Sequence, residues 1–361
     1  MVAMTATQCV VLDASSDLGQ RAEMALRRNG MPLPLQQSAF WCGEGASARR
    51  LLVLLTDPSG DALVGAAITI SRSRLTPGFS IGRVLKFGHG LPGWSLEPLI
   101  EALASAARTH RLLRLHIEAF TPDAAQLSLI GTVCASAGLR LLPKPRNYQR
   151  TLIVDLTPDE DTLFQSFSRV VRRNVRKTAQ LGHVVLLIME SRYASRLSTL
   201  GEVTFARTRG RHTPVDWGQR IRTSIAYPES YHLSGLFLAG EPSPDALVAF
   251  RWVACQPDGY ADDLYAASAR LEGPLQAVPL MHAVMWECLR WARKRGAPWF
   301  DFGGVVPADD TGNAALRTIS AFKRLFTGTE RLVGADWVYE PYPRLARAAG
   351  LVSRAVRRMR S

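Results

Sequence analysis

The sequence predicts an α/β protein of two similar units, each a mixed, mainly antiparallel sheet flanked by helices. Three observations carry this. The 361 residues exceed what one hydrophobic core usually encloses, so two units of roughly 150 to 200 residues are expected. Short β-rich runs alternate with segments whose apolar residues recur every three to four positions. An order of helices, a strand meander, one long helix and a strand occurs twice.

In the first unit, residues 15–29 read as a helix capped by Ser16 or Asp17 and stopped at Gly30. Pro32 and Pro34 then force an extended passage. Residues 50–57 and 62–72 are strands joined by the turn Pro58-Ser59-Gly60-Asp61, the punctuation of an antiparallel pair. A strand at 81–87 leads into a glycine turn at 88–93. The helix at 95–108 then sets Leu96, Leu99, Ile100, Leu103 and Ala106 on one stripe. A strand at 112–119, a helix at 123–137 and a strand at 140–142 close a unit spanning 1–148, with Lys144-Pro145-Arg146-Asn147 as linker.

The second unit, 149–330, opens on a strand at 151–155. A helix follows with Thr157 as N-cap, Pro158 in its first turn and acids where the helix dipole favours them. This helix carries Phe164, Phe167 and Val171 on one face and Arg169, Arg172, Arg173, Arg176 and Lys177 on the other, before Gly182 ends it. Such a run is either a solvated face or an anion contact. A strand at 184–189, helices at 191–207 and 215–225, and a meander of strands at 231–238, 245–255 and 259–269 come next, then a helix at 277–295 and a strand ending at Phe300. A C-terminal extension, 331–361, includes a basic amphipathic helix from Pro343, with Leu345, Ala349 and Val352 on one stripe and Arg344, Arg347 and Arg354 around it. It packs on the body of the protein or lies on anionic head groups.

The stretch 298–326 concentrates the polar chemistry. A buried strand turns out through Asp301-Phe302-Gly303-Gly304, and a polar loop at 307–313 leads to a helix bearing Phe322 and Lys323. Glycine at a strand end lets a backbone approach a ligand closely, and it also serves a plain structural turn. Asp301-Phe302-Gly303 spells the metal-binding tripeptide of protein kinases, but no glycine-rich loop, strand lysine or catalytic loop precedes it. Gly78-Phe79-Ser80-Ile81-Gly82 spells a nucleophile elbow, yet a turn precedes Ser80 and a strand follows it, the reverse of what that motif requires.

Composition bounds the function classes. Apolar residues make up 47% and charged residues 21%, values of a globular chain. The net charge of +13 attracts polyanions, nucleic acid and anionic lipid alike. Five cysteines, widely spread and without a Cys-x-x-Cys pair or clustered histidines, argue against a disulfide framework and a zinc site. No membrane-length apolar run and no leader-like segment are read, so a cytoplasmic protein is expected, peripheral at the inner face of the membrane if the basic helix lies on lipid.

Several features between residues 151 and 323 occur in a telling order. They are the strand and acidic cap at 151–161, Arg172-Arg173-Asn174-Val175-Arg176-Lys177 with Gly182 behind it, Leu264-Tyr265-Ala266-Ala267-Ser268, the helix at 280–295, the Asp301 turn and the Phe322-Lys323 pair. Together they resemble the Fem-type peptidoglycan-bridge aminoacyltransferases and their BioF-like acetyltransferase relatives, which have tandem GNAT-like domains. The first unit resembles them through residues 37–41, 88–92 and 115–118.

The resemblance implies an N-acyltransferase that moves an aminoacyl or acyl group to an amine on a cell-wall or cell-surface precursor. Aminoacyl-tRNA or acyl-CoA would be the donor substrate, with no tightly bound cofactor and no metal. It implies Lys323 stabilising charge on the reacting ester and Phe322 stacking on a terminal adenine, with Tyr265, Gly303 and Gly304 flanking the donor. The chemistry agrees: a fixed ammonium stabilises a developing oxyanion, and an aromatic face is a platform for any base. Lys323 is one of only five lysines among 44 basic residues. Asp301 either orients a reacting group or caps the glycine turn. If the basic run is not simply solvated, Arg172, Arg173, Arg176, Lys177 and Arg209 are the expected anion or acceptor contacts, and tRNA, an anionic membrane surface or a lipid-linked precursor are the expected partners.

The chain departs from the family pattern in having no long helical arm. It also has Cys42-Gly43-Glu44-Gly45 after Trp41, where a phosphate-binding lysine is expected. A CoA-dependent GNAT is the rival reading, with Arg270 and Gly273 in the pyrophosphate loop, although Pro274 removes one N–H there. The non-enzymatic alternative is a binder of RNA or of a membrane surface.

Overall fold

The structure, a computed structural model, describes residues 7–39, 41, 49–73, 76–208, 213–240, 242–273, 276, 278–307, 309 and 314–358, the side chains of 208 and 353–358 excepted. It divides into two compact units, Met1–Gln149 with Leu332–Ser361, and Arg150–Arg331.

The first unit contains β1 (Gln8–Asp13), α1 (Asp17–Arg28), β2 (Arg49–Thr56), β3 (Ala62–Arg72), β4 (Ser80–Gly88), α2 (Gly93–Thr109), β5 (Leu112–Phe120), α3 (Ala124–Ser136) and β6 (Arg140–Leu141). Helix α1 begins where the Ser16 side chain accepts from Gly19 N–H. In α2, Leu96, Leu99, Ile100 and Leu103 are fully buried against the apolar face of the sheet, among Leu51, Val53, Ile68, Val84 and Leu115. The predicted helical stripe is therefore the core.

The second unit contains β7 (Arg150–Asp155), α4 (Glu160–Ser166), α5 (Arg169–Gln180), β8 (Val184–Leu187), α6 (Ala194–Thr208), α7 (Trp217–Ala226), β9 (Tyr231–Phe237), β10 (Leu247–Cys255), β11 (Ala261–Ser268), α8 (Leu280–Lys294), β12 (Trp299–Gly304), α9 (Ala314–Arg324) and β13 (Thr329–Leu332). The single helix expected after residue 157 is two helices. Asp159, not Thr157, is the N-cap of α4 and accepts from Thr162 N–H, whereas the Thr157 hydroxyl donates to Asp155 Oδ1 at 2.8 Å. The buried, extended Phe167 ends α4, and Ser168 caps α5. Burying Phe167 among Phe164, Trp286 and Phe326 fixes the break. Strand β12 also differs from expectation. It runs through the glycines to Gly304, with a bulge between Asp301 and Gly304 where Gly303 adopts φ +71°.

The chain then returns to the first unit as β14 (Gly334–Tyr339) and α10 (Pro343–Arg358). The two seven-stranded sheets have the same arrangement: β1-β2-β3-β4-β5-β14-β6 in one and, read in the matching direction, β8-β9-β10-β11-β12-β7-β13 in the other. In the first, the sixth position is taken by a strand from outside the unit's continuous run; in the second, it is taken by the unit's own first strand, β7. Strand β7 follows β6 in sequence but completes the second sheet, and β14 follows β13 but completes the first, pairing Trp337 with Ile117 and with Leu141. The segment read as an extension from residue 331 thus supplies an internal strand. Helix α10 packs Ala346 and Ala349 on Leu113.

Candidate active site

The matching parallel pairs of the two sheets differ. In the first, β4 and β5 stay paired, through two register shifts, from Ser80 and Leu112 to Gly88 and Phe120. In the second, β11 and β12 pair at two positions, Ala261 with Phe300 and Asp262 with Asp301, and then part. Beyond that point β11 continues along β10 to Ser268, and β12 bulges toward β7, where Gly304 pairs with Thr151. A cavity of about 320 Å³ lies here, lined by residues of β10, β11, α6, α8 and α9 that include Arg251, Asp263, Ser268, Met281, Phe322 and Lys323. A second opening, of about 580 Å³ in the first unit, is lined by Cys9, Glu101, Ser105 and Arg108 and contains no buried charged side chain.

Lys323 sits on the inward face of α9 with 8% of its surface exposed, and its Nζ donates to Gly304 O at 2.7 Å. Burial pulls its pKa from 10.5 down to about 8. Asp263 opposes that shift, Arg251 adds to it, and Asp301 opposes it more weakly. Arg251 Nη1 donates to Asp263 Oδ2 at 2.5 Å, an almost fully buried pair. The Arg251 guanidinium also lies 5.7 Å from the Phe322 ring centroid.

One step further out, Phe322 meets His282 edge-on at 5.1 Å. The side-chain amide of Asn174 lies 3.4 Å from the His282 ring, whose pKa falls to about 4 through burial and the nearby Arg251 charge. At the mouth, Arg207 Nη2 reaches Ser268 Oγ at 3.4 Å, and the Thr204 hydroxyl donates to Ser268 O at 3.1 Å.

Asp301 lies beneath this group with no exposed surface. Its Oδ1 accepts from Gly303 N–H at 2.7 Å and from the Thr151 hydroxyl, which also lies 2.8 Å from Gly303 O. These are bonds of a carboxylate that holds the bulge; Asp301 does not line the cavity, and its charge acts on Lys323. Gly303 is in the left-handed region, and a Cβ there would meet Lys323 Nζ at 3.7 Å.

The other sequence-predicted residues lie apart. Tyr265 stacks on Phe250 at 5.8 Å and meets Trp217 edge-on at 5.0 Å. Its hydroxyl is buried without a partner, and burial followed by the Glu202 charge raises its pKa. A one-residue register shift at Trp252 and Val253 leaves Leu264 unpaired, so Asp263 shares the face of Arg251 while Tyr265 turns to the aromatic cluster. Arg270 and Gly273 are exposed and do not line the cavity. On α5, Arg172 donates to Gln165 O and Oε1, Arg176 lies over Phe164, and Arg173 is exposed. None of these, nor Lys177, lines the cavity, and Arg209 lies outside the described residues.

Sequence reasoning missed Arg251 and Asp263. Arg251 had a signal: it is the one charged residue in the apolar strand Leu247–Cys255. Among the described residues, no group of three or more His, Cys, Asp or Glu is placed to hold a metal, and no helix is long and apolar enough to cross a membrane.

No protein-family model matches the chain, and no curated protein matches its sequence. Solved structures do match. The crystal structure of FemX aligns with a TM-score of 0.72 at 14% identity, over 91% of this chain and 97% of that one. The structure of L-PGS from Bacillus licheniformis aligns with a TM-score of 0.53 at 13% identity, over 94% of this chain and 96% of that one. At such identities the likeness is one of fold, and it spans both units. The chain has the fold of FemX, two GNAT-like domains in one polypeptide.

Proposed function

We propose that the second unit transfers an acyl group to an amine, with the acyl carbonyl seated beside Lys323. One observation carries this reading: a buried ammonium stands where two parallel strands part, next to a cavity large enough for an acyl group and its ester or thioester. In the reaction, a neutral acceptor amine forms the C–N bond and the C–O or C–S bond of the donor breaks. The proton lost by the amine goes to the leaving oxygen or sulfur. The Lys323 ammonium stabilises the negative charge that builds on the carbonyl oxygen. Phe322 offers a stacking face, and Arg207 at the mouth suits the phosphate-bearing part of a donor.

The finer reading is an aminoacyl donor carried by tRNA and an acceptor amine on a cell-wall or cell-surface precursor, with the C-terminal helix resting on anionic lipid. The fold shared with FemX supports it. So does the exposure of Leu351 and Val352, 61% and 51%, beyond the packed half of α10. The test is transfer to amine acceptors from radiolabelled aminoacyl-tRNA and, separately, from acetyl-CoA. Lys323-dependent product from either supports acyl transfer. Binding of RNA or vesicles with no product from any donor would replace it with a binding role.

A further inference from the structure

The inner end of the cavity holds two charged groups that satisfy only part of each other. Arg251 Nη1 and Asp263 Oδ2 are bonded, but Arg251 Nε and Asp263 Oδ1 are buried without a hydrogen-bond partner. A buried carboxylate oxygen left unpaired is costly, and because Asp263 also lines the cavity, a ligand that turns this carboxylate toward itself can supply the missing partner. Asp263 and Lys323 line the same cavity and are coupled through their charges. A ligand whose carbonyl oxygen meets Lys323 therefore presents its neighbouring atoms to Asp263. Ala266, Ala267, Met281 and Ile319 add apolar lining to the cavity.

We infer that Asp263, held in place by Arg251, is the specificity residue that receives the α-ammonium of an aminoacyl donor; this rests on the acyl-transfer reading above. The ammonium belongs to the donor rather than the acceptor, because the attacking amine must be neutral and a carboxylate that kept it protonated would oppose attack. In an aminoacyl ester the ammonium is borne by the carbon next to the carbonyl. One such group thus meets Asp263 and Lys323 together, whereas a plain acyl group leaves Asp263 Oδ1 unpaired. The pair discriminates by the penalty for that unpaired oxygen as much as by the ammonium–carboxylate hydrogen bond itself.

The test is calorimetric binding of stable donor mimics to the full chain. Alanyl, seryl and lysyl groups are linked as amides to 3′-amino-3′-deoxyadenosine, each compared with its analogue lacking the α-amine and with its N-acetyl form. For at least one side chain, the free-amine mimic is expected to bind about tenfold to a hundredfold more tightly than the two others, the range of a charge-assisted hydrogen bond in a buried site. Asp263→Asn is expected to erase that preference by weakening the free-amine mimic alone. Equal binding of amine and desamino mimics by the unmodified protein overturns the assignment without recourse to any variant. A folded Asp263→Asn protein that keeps the preference does the same. If no aminoacyl mimic binds while acetyl-CoA does and is turned over, the role of Asp263 falls and acyl transfer stands. If no donor is turned over at all, the reading beneath it falls too.

Discussion

The ammonium of Lys323 donates to the carbonyl of Gly304 at 2.7 Å, so the bulge at the end of β12 holds the group assigned to the reacting carbonyl. Removing the charge while keeping the apolar stem separates catalysis from packing. Lys323→Met is expected to lower kcat/KM for transfer about 100-fold or more. A fall of less than threefold, measured with the donor that the unmodified protein uses, would remove Lys323 from the mechanism.

The same variant has a thermal signature with a defined sign. In the folded protein Lys323 gives up its proton near pH 8, against 10.5 in the unfolded chain, so burying the charged form costs stability. The cost, on the order of 3 kcal/mol, is full below pH 8 and fades as the pH rises from 8 to 10.5. Losing the bond to Gly304 returns about 1 kcal/mol of it. Lys323→Met should therefore melt at or above the temperature of the unmodified protein at pH 7, with the advantage shrinking by pH 10. A Tm several degrees lower at pH 7 would contradict the burial argument.

The rate should depend on pH through Lys323 and not through His282. A transition state that needs the ammonium loses rate as the pH rises through about 8, whereas His282, held near 4, is already neutral over the working range. The profile of kcat/KM is expected to fall above pH 8 and to show no step near 6.5 that vanishes in His282→Gln. Such a step would show that the imidazole is accessible to protons and takes part.

Asp301 gives the opposite expectation. Its Oδ1 accepts from Gly303 N–H and the Thr151 hydroxyl, and an asparagine oxygen can do both. Asp301→Asn should keep activity within about tenfold and lose about 1 kcal/mol of stability in denaturant unfolding. A stable Asp301→Asn protein with no turnover would make the carboxylate a participant in the chemistry.

For the membrane-surface reading, a chain ending at Gly350 keeps Ala346 and Ala349 on Leu113 and removes Leu351, Val352 and the arginines beyond. Sedimentation with phosphatidylglycerol vesicles should bring down the full chain at low salt only, and the shortened chain not at all. Equal, negligible sedimentation of both would remove lipid from the account.

How much of this was legible depended on range along the chain. Phe322 and Lys323 are sequence neighbours on one helix, and a lysine stands out among so many arginines. Arg251 and Asp263 become partners only through the register of β10 against β11, and the bulge at Leu264 puts Asp263 rather than Tyr265, which the resemblance implied, on the face of Arg251. Stripes such as Leu96, Leu99 and Leu103 were readable because a helix is periodic within itself. Strand β14 was not, since what makes Gly334–Tyr339 a strand is pairing with β5, more than 200 residues earlier in the chain.

The late sixth strand of the first sheet also sets an order of assembly. The second sheet has all its strands once residue 332 has been made, but the first, although begun earlier, stays one strand short until residues 334–339 arrive. Until then β5 and β6 present open edges where β14 will lie. During synthesis the N-terminal unit is therefore the later of the two to close. A fragment cut after Gln149 would keep a gap in its sheet, which a separate peptide spanning residues 332–350 should fill.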